Sequence, residues 1–320
     1  MAAPGQLTTE EGFHLLERLA AFGAPLPHLV LTGGDPLKRA DLFDLIRHAR
    51  GLGLDVSVSP SGTPLLTDEA IGKLKAAGVD AISLSLDGST AERHDAIRQV
   101  PGCYARTMSG ARAAVEAQLP FQVNTLVSRE TLDDLEAIYP IVKEMGAARW
   151  SLFFLVTVGR GLVLSPISAA QCETLFEWVA TRPRKGGPIV TTTEAPHYRR
   201  VLMNHVKGHG EGGRPVVHGL GIRDGNGIMF ISSTGDVTPS GFLPMTVANV
   251  REQDIVSIYR ESDVFVQLRR ADTFEGRCGR CEYREACGGS RARAYAATGR
   301  LFAEDPLCLY EPGTAQAHPA

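Results

Sequence analysis

Four cysteines crowd the C-terminal part of this 320-residue chain in the pattern Cys278-x2-Cys281-x5-Cys287-x20-Cys308. Thiolates are soft ligands, and sets of four hold zinc or an iron–sulfur cluster. The CxxC pair can chelate from one tight turn, and the two later thiols close the cage. Arg277, Arg280 and Arg284 stand close in sequence and could offset the negative charge of such a centre. Spacing alone divides evenly between a structural zinc site and an iron–sulfur cluster, because both accept four thiolates.

A second group of residues suits a polar ligand. Thr32-Gly33-Gly34-Asp35-Pro36 follows a short apolar strand. Paired glycines let a backbone approach a ligand closely, and exposed amides and carbonyls can grip a polar head group. Ser59, the Ser85-Leu86-Asp87-Gly88 segment and Asn124-Thr125 stand at the ends of later strands. Short polar side chains there can bind nucleoside hydroxyls. Each of these segments taken alone is better read as an ordinary turn or loop between elements. His94, Asp95 and Arg98 read as a solvated helix face, and Cys103 and Cys172 as small buried apolar residues.

Alternating periodicities define the elements that carry these residues. Thr8 and Glu11 form a capping box ahead of a helix with Leu15, Leu19 and Phe22 on one face. A second helix carries Leu42, Leu45, Ile46 and Ala49, with Gly53 as its stop. Strands are expected at 28–32, 54–59, 81–86, 121–127 and 149–156, and helices at about 104–117 and 132–145 between them. Five strands alternating with helices imply a parallel sheet or (β/α) barrel, whose sites lie at the C-terminal ends of the strands. Beyond residue 160 the pattern changes. A helix is expected at about 168–181, a linker at 182–188, loop at 203–219, and a hairpin at 227–237 that turns near Thr234-Gly235-Asp236.

Composition excludes several functions. The net charge is −3 with both signs interspersed, which argues against nucleic acid and anionic membrane as main partners. No apolar run approaches the ~20 residues of a membrane helix. The residues from Met1 to Gln6 lack the basic and apolar regions of a secretory signal, so a cytoplasmic protein is expected.

The order of these motifs resembles that of radical S-adenosylmethionine proteins with a SPASM or twitch extension, over nearly the whole chain. The resemblance implies an α/β fold: a partial (β/α)6 TIM-like barrel lacking its first strand over 1–187, a SPASM-like α+β cysteine-rich domain over 188–310, and a disordered tail at 311–320. It implies that Gly33-Gly34-Asp35-Pro36, with Asp in place of the usual Glu, binds the amino group of S-adenosylmethionine. Ser85 and Asp87 would sit near the ribose, and Ser59 and Asn124 would line the cofactor.

By the same resemblance, Cys278, Cys281, Cys287 and Cys308 hold an auxiliary [4Fe–4S] cluster. Ser240 and Arg291 stand where ligands of another cluster are usual, so that cluster is expected to be absent. The family's CxxxCxxC, which holds the catalytic [4Fe–4S] cluster, occurs nowhere in the chain. The expectation is that a strand and its cysteine loop precede Met1, and that this chain is inactive alone. The full-length protein would cleave S-adenosylmethionine reductively and abstract hydrogen from a substrate. A peptide or a small molecule such as a tetrapyrrole is implied as substrate, with a flavodoxin or ferredoxin as electron donor. A degenerate peptide-binding or zinc-binding paralogue is the alternative.

Overall fold

Apolar and polar residues alternate along the strands, and this decides which face of the sheet is covered. The computed structural model describes residues 4–182, 186–208 and 221–313. Helix α1 (Thr9–Ala20) leads into β1 (Leu29–Leu31), α2 (Leu42–Gly51) and β2 (Val56–Val58). Then come α3 (Asp68–Ala76), β3 (Ala81–Ser85), α4 (Ala91–Arg98), α5 (Cys103–Glu116) and β4 (Phe121–Val127). The pattern continues through α6 (Leu135–Glu144), β5 (Arg149–Phe154), α7 (Ala169–Ala180) and β6 (Ile189–Thr193).

The strands form one parallel sheet in the order β1-β2-β3-β4-β5-β6. β1 and β6 are its two edges, so the sheet is an open arc rather than a closed barrel. Val56, Val58, Ile82, Leu84, Val123, Trp150 and Leu152 are buried and face the helices. The alternate residues Ser57, Ser85, Gln122, Asn124 and Arg149 point to the other face and are half-buried, as a two-residue repeat requires. Buried parallel strands are usually apolar on both faces. Here the face toward the helices is mainly apolar, whereas the other sets Ser57, Ser85, Gln122, Asn124, Arg149 and Ser151 among Val30, Leu126 and Phe153, so that face carries hydroxyls and amides.

The sequence-based boundaries of several elements agree with the structure. The Thr8–Glu11 capping box forms, with Thr8 Oγ1 accepting from Glu11 N at 3.2 Å and Glu11 Oε2 from Thr8 N at 2.7 Å. Two expectations need correction. β6 pairs in parallel with β5, with Ser151 opposite Thr191, so the sheet has six strands and runs past the boundary expected at 187. Helix α8 (Tyr198–Gly208) occupies the start of the stretch expected to be loop. The rest of that stretch, 209–220, lies outside the described residues, as do 183–185 of the linker and 314–320 of the tail.

The C-terminal part adds a small antiparallel sheet of β7 (Phe230–Ile231), β8 (Asp236–Thr238) and β9 (Ala248–Asn249). Gly235 makes the β7–β8 turn with φ +91°, where a Cβ would sit 2.8 Å from Asn249 Oδ1. Helices α9 (Ile255–Glu261), α10 (Asp263–Arg269), α11 (Gly276–Arg280) and α12 (Arg291–Thr298) follow. Val237, Ile258 and Phe265 belong to the same hydrophobic cluster as Leu16 and Leu45. The small sheet and its helices thus share a core with the large one. The Arg251–Glu11 ion pair at 2.5 Å clasps them from outside.

Candidate functional site

The four C-terminal thiols come together. Helix α11 and the turn after it supply Cys278 and Cys281, the loop before α12 supplies Cys287, and the C-terminal stretch supplies Cys308. All four line one cavity, with His197 and Tyr310 among its other walls. The CxxC turn needs its glycine: a Cβ on Gly279 would lie 2.2 Å from Phe274 O. Backbone amides already point at the sulfurs, Tyr283 N at Cys281 Sγ (3.4 Å) and Gly289 N at Cys287 Sγ (3.3 Å). Burial pushes the Cys287 and Cys308 thiols up to about 12 and the Cys281 thiol in the same direction. A bound cation reverses this by ionising its thiol ligands.

Arginines enclose the cavity, but not quite those expected. Arg277 lines it and pairs with Glu304 at 2.9 Å, and Arg284 lines it too, whereas Arg280 is exposed and does not. Arg293 pairs with Asp305 at 3.0 Å, and Arg200 with Glu173 at 2.5 Å. Arg291, at the position of an expected missing ligand, is fully buried, and its Nη2 lies 3.7 Å from Cys278 Sγ. Ser240 is buried at the end of β8, where its hydroxyl accepts from Phe242 N at 3.3 Å.

Two metal types would ask different things of these thiols. Among the described residues, no three His, Cys, Asp or Glu side chains converge on a point where a single ion would sit. A tetrahedral zinc needs four sulfurs about 2.3 Å from one point. An iron–sulfur cluster instead takes its four thiolates on separate irons, which sets them wider apart.

At the sheet's C-terminal ends, Gly33 has φ +131°, and neither Gly33 nor Gly34 has a neighbour within 4 Å of where a Cβ would stand. The backbone here borders open space. Asp35 is buried and spends its carboxylate on the turns around it: Oδ1 accepts from Leu37 N at 3.2 Å and Ser61 N at 3.4 Å, and Oδ2 from Thr63 Oγ1 at 2.6 Å. Pro36 opens a single 3₁₀ turn that Asp35 caps. Ser59 N donates to Leu31 O at 2.9 Å, which carries β2 pairing one residue onward. Ser85 and Asn124 are opposite each other in register and half-buried on the polar face.

Asp87, expected near a ribose, has its carboxylate engaged within the protein. It is 2% exposed, accepts from Leu126 N at 2.7 Å and pairs with Arg98 at 2.5 Å. His94 is buried and accepts from Asp87 N through Nδ1 at 2.9 Å. Asp87, His94 and Arg98 therefore brace the β3–α4 turn rather than form a solvated helix face.

The polar residues at 194–200 form a buried joint between the sheet and the cysteine region. His197 packs between Cys172 Sγ (3.3 Å) and Asp305 (3.8 Å), and burial holds its imidazole down at about 4. Arg199 donates to Ala286 O at 3.0 Å and Ile222 O at 2.7 Å. Glu194, at φ +58°, accepts from Ser290 Oγ, and its backbone oxygen accepts from Arg293. Burial and the nearby Asp224 charge raise the Glu194 carboxyl well above the usual range. Asp224 itself accepts from Arg291 N and Ala292 N, both at 2.9 Å, at the start of α12.

An open parallel arc whose polar face ends in a glycine cradle, joined to a pocket of four thiols, defines an α/β scaffold built for cofactors. Comparison with known proteins is more specific: residues 2–139 match the Radical SAM superfamily, and the chain belongs to that superfamily of enzymes. It is 40% identical over 314 residues to an AdoMet-dependent heme synthase of Methanosarcina barkeri, covering 97% of this chain and 89% of that protein. It is 39% identical over 316 residues to an AdoMet-dependent heme synthase of Oleidesulfovibrio alaskensis, covering 97% and 81%. The crystal structure of Streptococcus suis SuiB bound to precursor peptide SuiA shares the fold, with TM-score 0.72 and 15% identity over 97% of this chain and 70% of that one. Among the described residues, no helix is long and apolar enough to cross a membrane.

Proposed function

We propose that this protein is an S-adenosylmethionine-dependent enzyme of haem-type tetrapyrrole synthesis, with one [4Fe–4S] cluster on Cys278, Cys281, Cys287 and Cys308. The observation that carries the reading is that four thiols from separate stretches of chain line one cavity. When bound, the cluster supplies electron transfer and S-adenosylmethionine the hydrogen-abstracting group.

The protein's own residues bind and orient. The open backbone at Gly33 and Gly34 receives the amino acid end of the cofactor, and Asp35 and Pro36 fix the shape of that turn. Ser59, Ser85 and Asn124 offer hydroxyl and amide groups to the nucleoside across the polar face. Asp87 keeps the β3–α4 turn in place behind them. A tetrapyrrole is favoured over a peptide substrate because the 40%-identical relative is a heme synthase. The peptide-bound neighbour is 15% identical and shares the fold alone.

The 320 residues contain no C-x3-C-x2-C triplet. Reductive cleavage of S-adenosylmethionine therefore needs three thiolates that these residues do not supply, together with a donor such as a flavodoxin or ferredoxin.

Anaerobic reconstitution with iron and sulfide tests the reading. About four irons and four sulfides per chain are expected, with no 5′-deoxyadenosine formed from S-adenosylmethionine and dithionite. Absorbance titration with a carboxylated iron porphyrin should show saturable binding. Zinc without acid-labile sulfide, or no porphyrin binding, would overturn the corresponding half of the assignment.

A further inference from the structure

We propose that Arg291 is the fixed counter-charge of the thiolate centre and raises the reduction potential of the cluster held there. This rests on the [4Fe–4S] reading above. Arg291 is 0% exposed, and its guanidinium is held by carbonyls alone on three sides. Nη1 donates to Ala303 O at 2.7 Å and Leu301 O at 3.3 Å, and Nε to Gly289 O at 3.4 Å. The group stacks on the Phe274 ring at 4.8 Å. What remains is Nη2, aimed at Cys278 Sγ from 3.7 Å. The neighbouring backbone is cut to fit, since a Cβ on Gly289 would meet Nη2 at 2.6 Å.

The charge balance makes the point. Arg277, Arg293 and Arg200 each have a carboxylate partner: Glu304, Asp305 and Glu173. Among the described residues, Arg291 has no carboxylate within ion-pair distance. Arg223, also buried and held by carbonyls beside Phe274, has no ion pair among them either; Arg291 differs in aiming an N–H at a thiol, where an anion would offset a buried charge that is otherwise costly. A cluster held by four thiolates is such an anion.

Reduction adds one electron from an external donor. No bond breaks and no proton moves, so the centre becomes one unit more negative beside a cation that cannot retreat. Charge and hydrogen bonds at the ligand sulfurs set cluster potentials, and both favour the reduced form here.

The test is an EPR-monitored redox titration of the reconstituted full chain. Arg291→Met should keep the iron content of the wild type and titrate at a lower midpoint potential. Arg291→Lys, which keeps the charge, should shift less. An assembled cluster in Arg291→Met at the wild-type potential overturns the proposal while leaving the cluster reading intact. Should Arg291→Met fail to fold, ENDOR on the wild type and Arg291→Lys decides. With nitrogen-15 placed only in arginine, a nitrogen coupling to the reduced cluster that Arg291→Lys lacks is expected, and the same spectrum in both refutes the role. A wild-type chain that takes up no iron and sulfide removes the cluster reading and this inference with it.

Discussion

Thr63 Oγ1 donates to Asp35 Oδ2 at 2.6 Å, tying together the turns that follow β1 and β2. Ser61 strengthens the tie by donating from its hydroxyl to Gly34 O at 2.5 Å. Asp35→Ala strands a half-buried hydroxyl and two amides. It should cost roughly 1–3 kcal/mol in urea unfolding and speed amide exchange over residues 33–37. Thr63→Val should cost less. Unchanged exchange in Asp35→Ala would mean that the turn is held by other contacts.

Asp87 and Arg98 provide a second stability test. Arg98→Met leaves the Asp87 carboxylate buried without its cation. Breaking such a pair from one side costs roughly 3 kcal/mol, because the remaining charge stays desolvated. Chemical denaturation should show this loss, and Asp87→Asn should be milder. A loss below about 1 kcal/mol, the range of surface ion pairs, would return Asp87 to the list of ligand candidates.

The Glu194 carboxyl predicts a pH dependence. Burial and the Asp224 charge raise it in the folded state. An unfolded Glu ionises at about 4.3, so above that pH the folded chain holds a proton that the unfolded chain has released. Stability is then full below the unfolded value and falls as pH rises toward the folded one. Glu194→Gln should flatten melting temperature against pH from about 5 upward and match or exceed the wild type near neutrality. An unaltered slope in the variant would place the linkage on another group.

Glycine substitutions separate tight turns from open ones. A Cβ at Gly279 would collide with Phe274 O at 2.2 Å. Gly279→Ala should therefore lower iron retention and cost about 1–3 kcal/mol by overpacking. Gly72 lies inside α3 with nothing within 4 Å of a Cβ. Gly72→Ala should stabilise by about 0.5–1 kcal/mol and leave the iron content alone. Equal iron loss in both variants would rule out the steric explanation.

Much of the scaffold was legible locally. Thr8 and Glu11 announce α1, and Leu42, Leu45, Ile46 and Ala49 mark the buried face of α2. The cysteine spacing pointed to a shared site, and those side chains do share a cavity. β6 escaped notice because Ile-Val-Thr-Thr-Thr is a half-exposed edge strand with little apolar contrast. The Asp87–Arg98 pair was not legible, because a strand-end acid looks the same in sequence whether it faces solvent or an arginine. Arg291 read only as a lost ligand, since its approach to Cys278 depends on packing against Phe274 and on carbonyls 10 and 12 residues away. Glu194, just after β6, and Asp224 meet at the start of α12, where Ser290 donates to the first and Arg291 N and Ala292 N to the second.

The one-sided polarity of the large sheet has a consequence for the resting molecule. The serine, threonine and amide groups on the face away from the helices hold water against the sheet. Entry of a broad, flat guest then exchanges ordered water for direct contacts, and the hydration of this interior becomes part of the affinity.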